Sequence, residues 1–313
     1  MEYIKNTTKF QMKEPTVLSL GKFDGLHMGH KYLIDYVLKK KKEGLKAVIF
    51  TFDMPPKSLV GQSKQQVITT NEEKIHLFDS IGIDCVIECP FTTEIMRMEP
   101  ENFIKMLVEQ LNVVYLAAGK DFHFGHKRRG DYNMLLEYGK QLGFEVEVVE
   151  KKQFENRDIS STFIREEIAK GHMERANMLL GYEFFVQGVV EHGRKLGRRL
   201  GIPTLNLVPS AEKVLPPFGV YVTQTIIDKQ VYDGITNVGK KPTIEIAGGH
   251  PVGVETHVFD YDADAYGKEI KVNFLAYSRE EKKFDSIDDL KNQMENDIKC
   301  GKSYLKAYKR RYE

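Results

Sequence analysis

Two histidines three residues apart, His27 and His30, close the glycine-punctuated stretch Gly21-Lys22-Phe23-Asp24-Gly25-Leu26-His27-Met28-Gly29-His30. At that spacing at a helix start they fall on one face, and both rings can donate to one anion. A helix start also gathers free backbone N–H groups and the positive end of the dipole, which suits a phosphate. Gly21, Gly25 and Gly29 let the backbone turn tightly and approach a ligand closely. A second helix start, Ile159-Ser160-Ser161-Thr162-Phe163-Ile164-Arg165, adds hydroxyls, N–H groups and an arginine one turn in. That combination makes a second phosphate clamp, with Ser161 as N-cap; a plain capped helix is the bland alternative. A third stretch spaces Gly193, Gly197 and Gly201 four apart with arginines, Arg198 among them, between. It is a backbone-exposing basic loop and not a Walker loop, because the Gly-Lys-Ser/Thr ending is missing. Beyond Pro203, which stiffens the approach, Thr204 and Asn206 lie two apart on an extended segment and face the same side. A hydroxyl and an amide oxygen placed so suit Mg²⁺ and nucleotide phosphates. Zinc does not fit the histidine pair, since no third ligand lies nearby.

These groups need a frame. Pro15–Leu20 is a short apolar run that reads as a buried strand, and Leu33, Ile34, Val37 and Leu38 mark a helix over 31–42. Lys46–Phe52 follows as a second strand after Gly44, so strand, helix and strand open a parallel βαβ sheet. Asp53–Pro56 leaves that strand at the edge where open α/β sheets bind ligands. Asn71 caps a helix, 83–88 is a strand, and 101–112 is a helix with the stripe Phe103, Ile104, Leu107, Val108 and Leu111. The strand 113–118 runs into Gly119-Lys120-Asp121-Phe122-His123-Phe124-Gly125, and 145–149 closes the sheet. A short helix, 172–180, ends at Gly181, after which short strands with Gly and Pro turns take over. That shift sets a boundary, giving domains 1–183 and 184–313. The run Val254–Phe259 alternates, with Glu255, His257 and Phe259 on one face, and 288–308 is a helical tail.

The totals set limits. A chain of 313 residues has two domains as its natural prior, and a net charge of +1 gives no case for a nucleic-acid or anionic-membrane partner. Three cysteines, Cys85, Cys89 and Cys300, argue against a disulfide framework; the first two read as core residues on a strand. Met1–Lys13 has no apolar signal core and no run is long enough to cross a bilayer, so a reduced, cytoplasmic protein is expected.

The turn carrying His27 and His30 resembles the His-x-Gly-His signature of nucleotidyltransferases that move an AMP or CMP unit. In its wider form the chain resembles the bifunctional riboflavin kinase/FMN adenylyltransferases (FAD synthetases) of bacteria. Gly-x-Asp-Phe-x-Phe-Gly at 119–125 and Ile-Ser-Ser-Thr-x-Ile-Arg at 159–165 resemble further signatures of the adenylyltransferase half. Gly-Arg-x-Leu-Gly-x-Pro-Thr-x-Asn near 193–206, together with 215–221, 237–243, 254–257, 266–267 and 279–284, resembles riboflavin kinase.

The resemblance implies a Rossmann-like nucleotidyltransferase domain, α/β, followed by a small six-stranded β-barrel with a C-terminal helix. It implies conversion of riboflavin to FMN in the second domain and of FMN to FAD, with release of pyrophosphate, in the first. The substrates are then riboflavin, FMN and ATP, with Mg²⁺ accompanying ATP, in a monomer or weak homo-oligomer. It casts His27, His30, Arg165 and Glu255 as catalytic. Glu255 is the base for the riboflavin hydroxyl; an acid on a solvated strand face is the alternative. Nucleotide or flavin binding falls to Gly21, Phe23, Asp24, Gly25, Gly29, Asp121, Phe124, Ser160, Ser161, Thr162, Gly193, Gly197, Arg198, Gly201, Pro203, Thr204, Asn206 and Arg279. Phe122 and Phe124 either pack against the flavin ring or fill the core. Met54 and Lys240 depart from the family pattern, which leaves open a chain with one live module or a flavin-binding protein without turnover.

Overall fold

The computed structural model describes residues 1–53, 66–193, 196–240 and 252–310. By contacts the chain forms two compact units, Met1–Ser161 and Thr162–Glu313. The first contains β1 (Glu2–Lys5), β2 (Thr16–Leu20), α1 (Met28–Lys42), β3 (Lys46–Phe52), α2 (Asn71–Ser80), β4 (Cys85–Cys89), α3 (Thr93–Arg97), α4 (Pro100–Leu111), β5 (Val113–Gly119), α5 (Tyr132–Leu142), β6 (Glu145–Val149), β7 (Gln153–Phe154) and β8 (Arg157–Asp158). It also holds Ser161, the first residue of α6 (Ser161–Ala169).

Six strands pair in parallel in the order β1-β4-β3-β2-β5-β6. The apolar runs of β2 and β3 are buried on both faces, as parallel strands under helices must be. Val17, Ala47 and Ile49 meet Leu33, Ile34 and Val37 of α1 and Phe78 of α2 on one face. Leu18, Leu20, Val48 and Phe50 meet Phe103, Ile104 and Leu107 of α4 and Leu135 of α5 on the other. Strand order reverses direction between the neighbours β2 and β5, so the loops leaving those two strands flank a topological switch point. Those loops carry Gly21–His30 and Gly119–Gly125.

Two local readings shift. The cap of α2 is Thr70, not Asn71: its hydroxyl accepts from Glu73 N–H while the Glu73 carboxylate accepts from Thr70 N–H, a capping box. β1 appears at the sheet edge, where Tyr3 O–H donates to the buried Glu88 carboxylate. Cys85 and Cys89 are fully buried on β4, and burial pushes their thiols up to about 12 and about 11, far from thiolate chemistry.

The second unit continues α6 and adds α7 (Met173–Leu180), β9 (Phe185–Val189), α8 (Leu196–Arg199), β10 (Leu205–Leu207), β11 (Gly219–Ile227), β12 (Gln230–Lys240), β13 (Val252–Val258), β14 (Glu269–Glu280) and α9 (Ile287–Lys309). The strands form an antiparallel sheet in the order β10-β13-β12-β11-β14-β9. A bridge between Glu191 and Asn206, with Glu191 N–H donating to Asn206 O at 2.8 Å, brings the two edges together into a near-barrel. Thr223, Thr236 and Thr256 share buried hydroxyl bonds of 2.8 Å on one face of the sheet. The other face gives Val220, Val222 and Ile235 to a cluster with Leu305 of α9. α7 is tied to the same sheet by Asn177, whose amide donates to Phe274 O at 2.8 Å.

Candidate functional sites

The turn after β2 is built to hold two imidazoles. His27 is the N-cap of α1 and is 5% exposed; Gly29 N–H donates to its Nδ1 at 3.1 Å, which leaves Nε2 to carry the ring proton. His30 stacks on His27 with centroids 3.8 Å apart and planes 19° from parallel. Burial, reinforced by the His27 ring, holds the His30 pKa well below the usual histidine range. His30 is therefore neutral at neutral pH. Its Nδ1 is buried with no hydrogen-bond partner among the described residues, an orphan that a bound ligand can satisfy.

The surrounding residues explain the glycines. Phe23, fully buried at a φ of 50°, lies under His30 at 5.2 Å and against Phe78 at 5.6 Å. A Cβ on Gly21 would come within 3.0 Å of the Phe23 ring, and one on Gly29 within 3.0 Å of both His27 Nδ1 and Ile159 O. Gly25 has a φ of +81°, where a side chain is strained. The Asp24 carboxylate accepts from Ile68 N–H at 2.8 Å and Thr69 N–H at 3.2 Å, stapling the turn to the chain entering α2. Ser161, the first residue of α6, donates its hydroxyl to Asp24 O at 2.9 Å and so ties itself to the histidine turn. Thr162 and Arg165 belong to the second unit, where Arg165 Nη2 donates to Thr162 Oγ1 at 3.3 Å.

After β5, Asp121 is exposed and pairs with Lys151 Nζ at 3.0 Å. Phe124 is 4% exposed and packs on Phe103, with Phe122 partly buried beside it, so these rings fill the core under the loop. Of the basic run that follows, Arg129 pairs with Glu99, and His126 lies 3.4 Å from the same carboxylate.

The second unit carries a cleft of about 310 Å³ lined by Gly193, Arg198, Pro203, Thr204, Asn206, Tyr261 and Tyr266, with Asp262 and Asp264 on its wall. Sequence spacing brought the first five forward; the tyrosines and aspartates come from the β13–β14 connection, where only the Tyr266-Gly267 pair gave a signal. Gly193 is needed because a Cβ there would lie 2.5 Å from the Asn206 amide. Gly197 is needed because a Cβ there would lie 2.3 Å from Ile202 O. Gly201 takes a φ of +78°.

Register then joins strands: Asn206 on β10 stands opposite Glu255 on β13, which stands opposite Asn237 on β12. Opposed residues share a face, so the amide, the carboxylate and a second amide form one row. Glu255 is exposed and Asn206 is 6% exposed. Arg279 extends the same row: it stands opposite Val220 of β11, which stands opposite Asn237. Its Nε and Nη2 donate to the two carboxylate oxygens of buried Asp297 at 2.8 and 2.6 Å, and Nη1 to Glu280 O at 2.8 Å. This arginine clamps α9 to β14. Lys240 ends β12, exposed; Met54, Arg194, Lys195 and 241–251 lie outside the described residues.

No cluster of three or more acidic, histidine or cysteine side chains able to hold a metal occurs among the described residues. Nor is any described helix long and apolar enough to cross a membrane.

Comparison with known proteins matches two families to successive parts of the chain. The FAD synthetase family model matches residues 9–163, and the riboflavin kinase family model matches residues 180–305. The bifunctional riboflavin kinase/FMN adenylyltransferase of Bacillus subtilis is 33% identical over 286 residues, 90% of each chain. That of Haemophilus influenzae is 34% identical, covering 93% of this chain and 94% of its own. That of Escherichia coli K12 is 34% identical over 91% of each chain. A crystal structure titled as a macrolide-efflux protein of Streptococcus pneumoniae matches with a TM-score of 0.84 and 30% identity, covering 96% of this chain and 98% of its own. With relatives above 30% identity matched along nine-tenths of its length, the chain belongs to the bifunctional riboflavin kinase/FMN adenylyltransferase family.

Proposed function

We propose that this chain carries out two consecutive ATP-dependent steps on one flavin. Its kinase half transfers the γ-phosphoryl group of ATP to the 5′-hydroxyl of riboflavin, giving FMN. Its adenylyltransferase half then joins the FMN phosphate to the α-phosphorus of ATP, giving FAD and pyrophosphate. The observation that carries this reading is the pairing of two family matches with two separate residue constellations, the histidine turn and the barrel cleft. We place the boundary of the two halves at 183/184, where sheet chemistry changes.

In the adenylyltransferase half the nucleophile is already an anion, so no base is required. His27, through Nε2–H, and neutral His30 serve as donors to the phosphate charge that builds up in the transition state. Ser160, Ser161, Thr162 and Arg165 hold the triphosphate, the backbone at Gly21, Gly25 and Gly29 lies close to it, and Asp121 faces the flavin. Catalysis of this kind is positioning and electrostatic stabilisation. In the kinase half the nucleophile is a neutral hydroxyl, and Glu255 accepts its proton while Gly193, Gly197, Arg198, Gly201 and Pro203 cradle phosphates.

Thr204 and Asn206 would hold Mg²⁺ arriving with ATP. Their hard oxygens suit it, and Gly193 has no side chain to crowd the Asn206 amide, from which a Cβ would lie 2.5 Å away. Mg²⁺, when bound, neutralises phosphate charge. A net charge of +1 gives no case for a nucleic-acid or anionic-membrane partner, and we place the chain in the cytoplasm as a monomer or weak homo-oligomer.

Isotope tracing tests the reading. With riboflavin and γ-labelled ATP the label enters FMN; with FMN and α-labelled ATP it enters FAD. Label appearing only in inorganic phosphate in both tubes would sink it.

A further inference from the structure

The β10–β13 ladder ends one residue short of where the kinase chemistry needs it. It pairs Leu207, Asn206 and Leu205 with Val254, Glu255 and Thr256. Asn206 is therefore fixed opposite Glu255 by the sheet, whereas Thr204 lies beyond the last paired residue. The next residue back, Pro203, has no N–H to extend the ladder. Yet the Pro203 carbonyl is held: the half-buried His257 ring places Nδ1 2.8 Å from it. A carbonyl only accepts, so Nδ1 carries a proton and Nε2 does not when the ring is neutral.

His257 is itself well placed to act as a fixed post. It lies two residues from Glu255 on the same face of β13 and opposite Ile235, whose side chain is in the cluster under α9. Its ring meets Phe259 edge-on at 5.6 Å. On the far side of Pro203, Ile202 N–H donates to Gly197 O at 2.8 Å, which anchors the chain entering this segment. The segment is thus tied at 202, at 203 and again from 205 onward, with Thr204 between.

We infer that His257 is a positioning residue for the kinase step, its Nδ1–H bond to Pro203 O setting Thr204 in place relative to Asn206 and Glu255. The inference rests on the riboflavin-kinase reading above. The side chain does the work that a ladder hydrogen bond does elsewhere along β10. A misplacement of about 1 Å at a group that orients phosphate is enough to cost up to about 10²-fold in rate.

The test compares the full chain with His257→Leu, which keeps bulk but has no donor, and His257→Asn, whose amide N–H reproduces the Nδ1 donor. Riboflavin phosphorylation, FMN adenylylation, thermal unfolding and the imidazole ¹⁵N spectrum are followed for each. For His257→Leu, kcat/KM for ATP in riboflavin phosphorylation falls about tenfold or more, KM for riboflavin stays within about twofold, and FMN adenylylation is unchanged. His257→Asn returns kinase kcat/KM to within about threefold of the parent. A fall under about threefold for His257→Leu, or His257→Asn as impaired as His257→Leu at equal unfolding temperature, overturns the inference. If the parent chain makes no FMN, the kinase reading fails instead. The ¹⁵N spectrum then decides the tether, and a bare Nδ1 on His257 overturns it.

Discussion

The two sites solve phosphate chemistry in different ways. The histidine turn sits at the carboxyl edge of a parallel sheet, and its working groups are buried rings stacked on each other, backbone N–H groups and helix starts. It offers hydrogen-bond donors. The Asp24 carboxylate in the turn accepts from backbone N–H groups at 68 and 69. The barrel cleft is lined by polar oxygens and exposed acids, and from its Asn206 a row runs across the strands to Glu255 and Asn237. The contrast follows from the nucleophile. A phosphate monoester attacks as an anion and needs its charge managed, while a primary hydroxyl needs a base. A buried histidine pair with no base would leave the riboflavin hydroxyl unreactive.

That contrast can be broken most sharply at the base. Glu255→Gln keeps shape and row but removes proton acceptance, and it should lower riboflavin phosphorylation by about 10²–10⁴-fold while FMN adenylylation is unaffected. A loss in both steps would show that the row is structural. On the other side, His27→Ala should slow FMN adenylylation by about 10²–10³-fold, the size of losing one preorganised donor, with riboflavin phosphorylation unaffected. A chain that makes FAD from FMN at parental rates with Ala at 27 would end the donor assignment.

A smaller effect separates clamp from ligand at Arg279. Because both oxygens of buried Asp297 are held by Arg279, Asp297→Ala strands a cation and should destabilise the second unit by about 3 kcal/mol, read by urea unfolding. If stability holds and KM for ATP rises instead, Arg279 serves the nucleotide.

The smallest effect is on pH. The folded pKa of His30 lies below its unfolded value near 6.5, so between the two the unfolded chain binds the extra proton. Stability then rises with pH toward about 6.5 and is flat above it, with a slope of up to about 1.4 kcal/mol per pH unit from this group. His30→Asn should flatten the acid limb of unfolding free energy against pH; an unchanged limb would contradict a buried neutral His30.

How much of this was legible in sequence varies with range. Lys46–Phe52 is found where the sequence sets it, because a continuous β-branched apolar run under helices has one outcome. The turn at 21–30 was legible because glycines and histidines act there through local backbone geometry. Thr204 and Asn206 line the cleft together, as two residues two apart on an extended segment facing one side do. Long-range partners were not legible. Nothing local tells that Arg279 meets a carboxylate 18 residues away, or that Tyr3 meets Glu88 across 85 residues and so makes an edge strand of a polar tetrapeptide. Nor does anything local tell that the Ser161 hydroxyl meets Asp24 O from 137 residues away. The tie from His257 to Pro203 is of the same kind, set by strand pairing that no local pattern announces.

The most direct test is a timed chromatographic assay of the full chain with riboflavin, ATP and Mg²⁺, beside His27→Ala and Glu255→Gln. The parent should give FMN and then FAD, His27→Ala should accumulate FMN that stops there, and Glu255→Gln should leave riboflavin unconverted while still turning added FMN into FAD. Both variants failing at the same step, or a parent chain that binds flavin without converting it, would contradict the account of two separate sites acting in sequence.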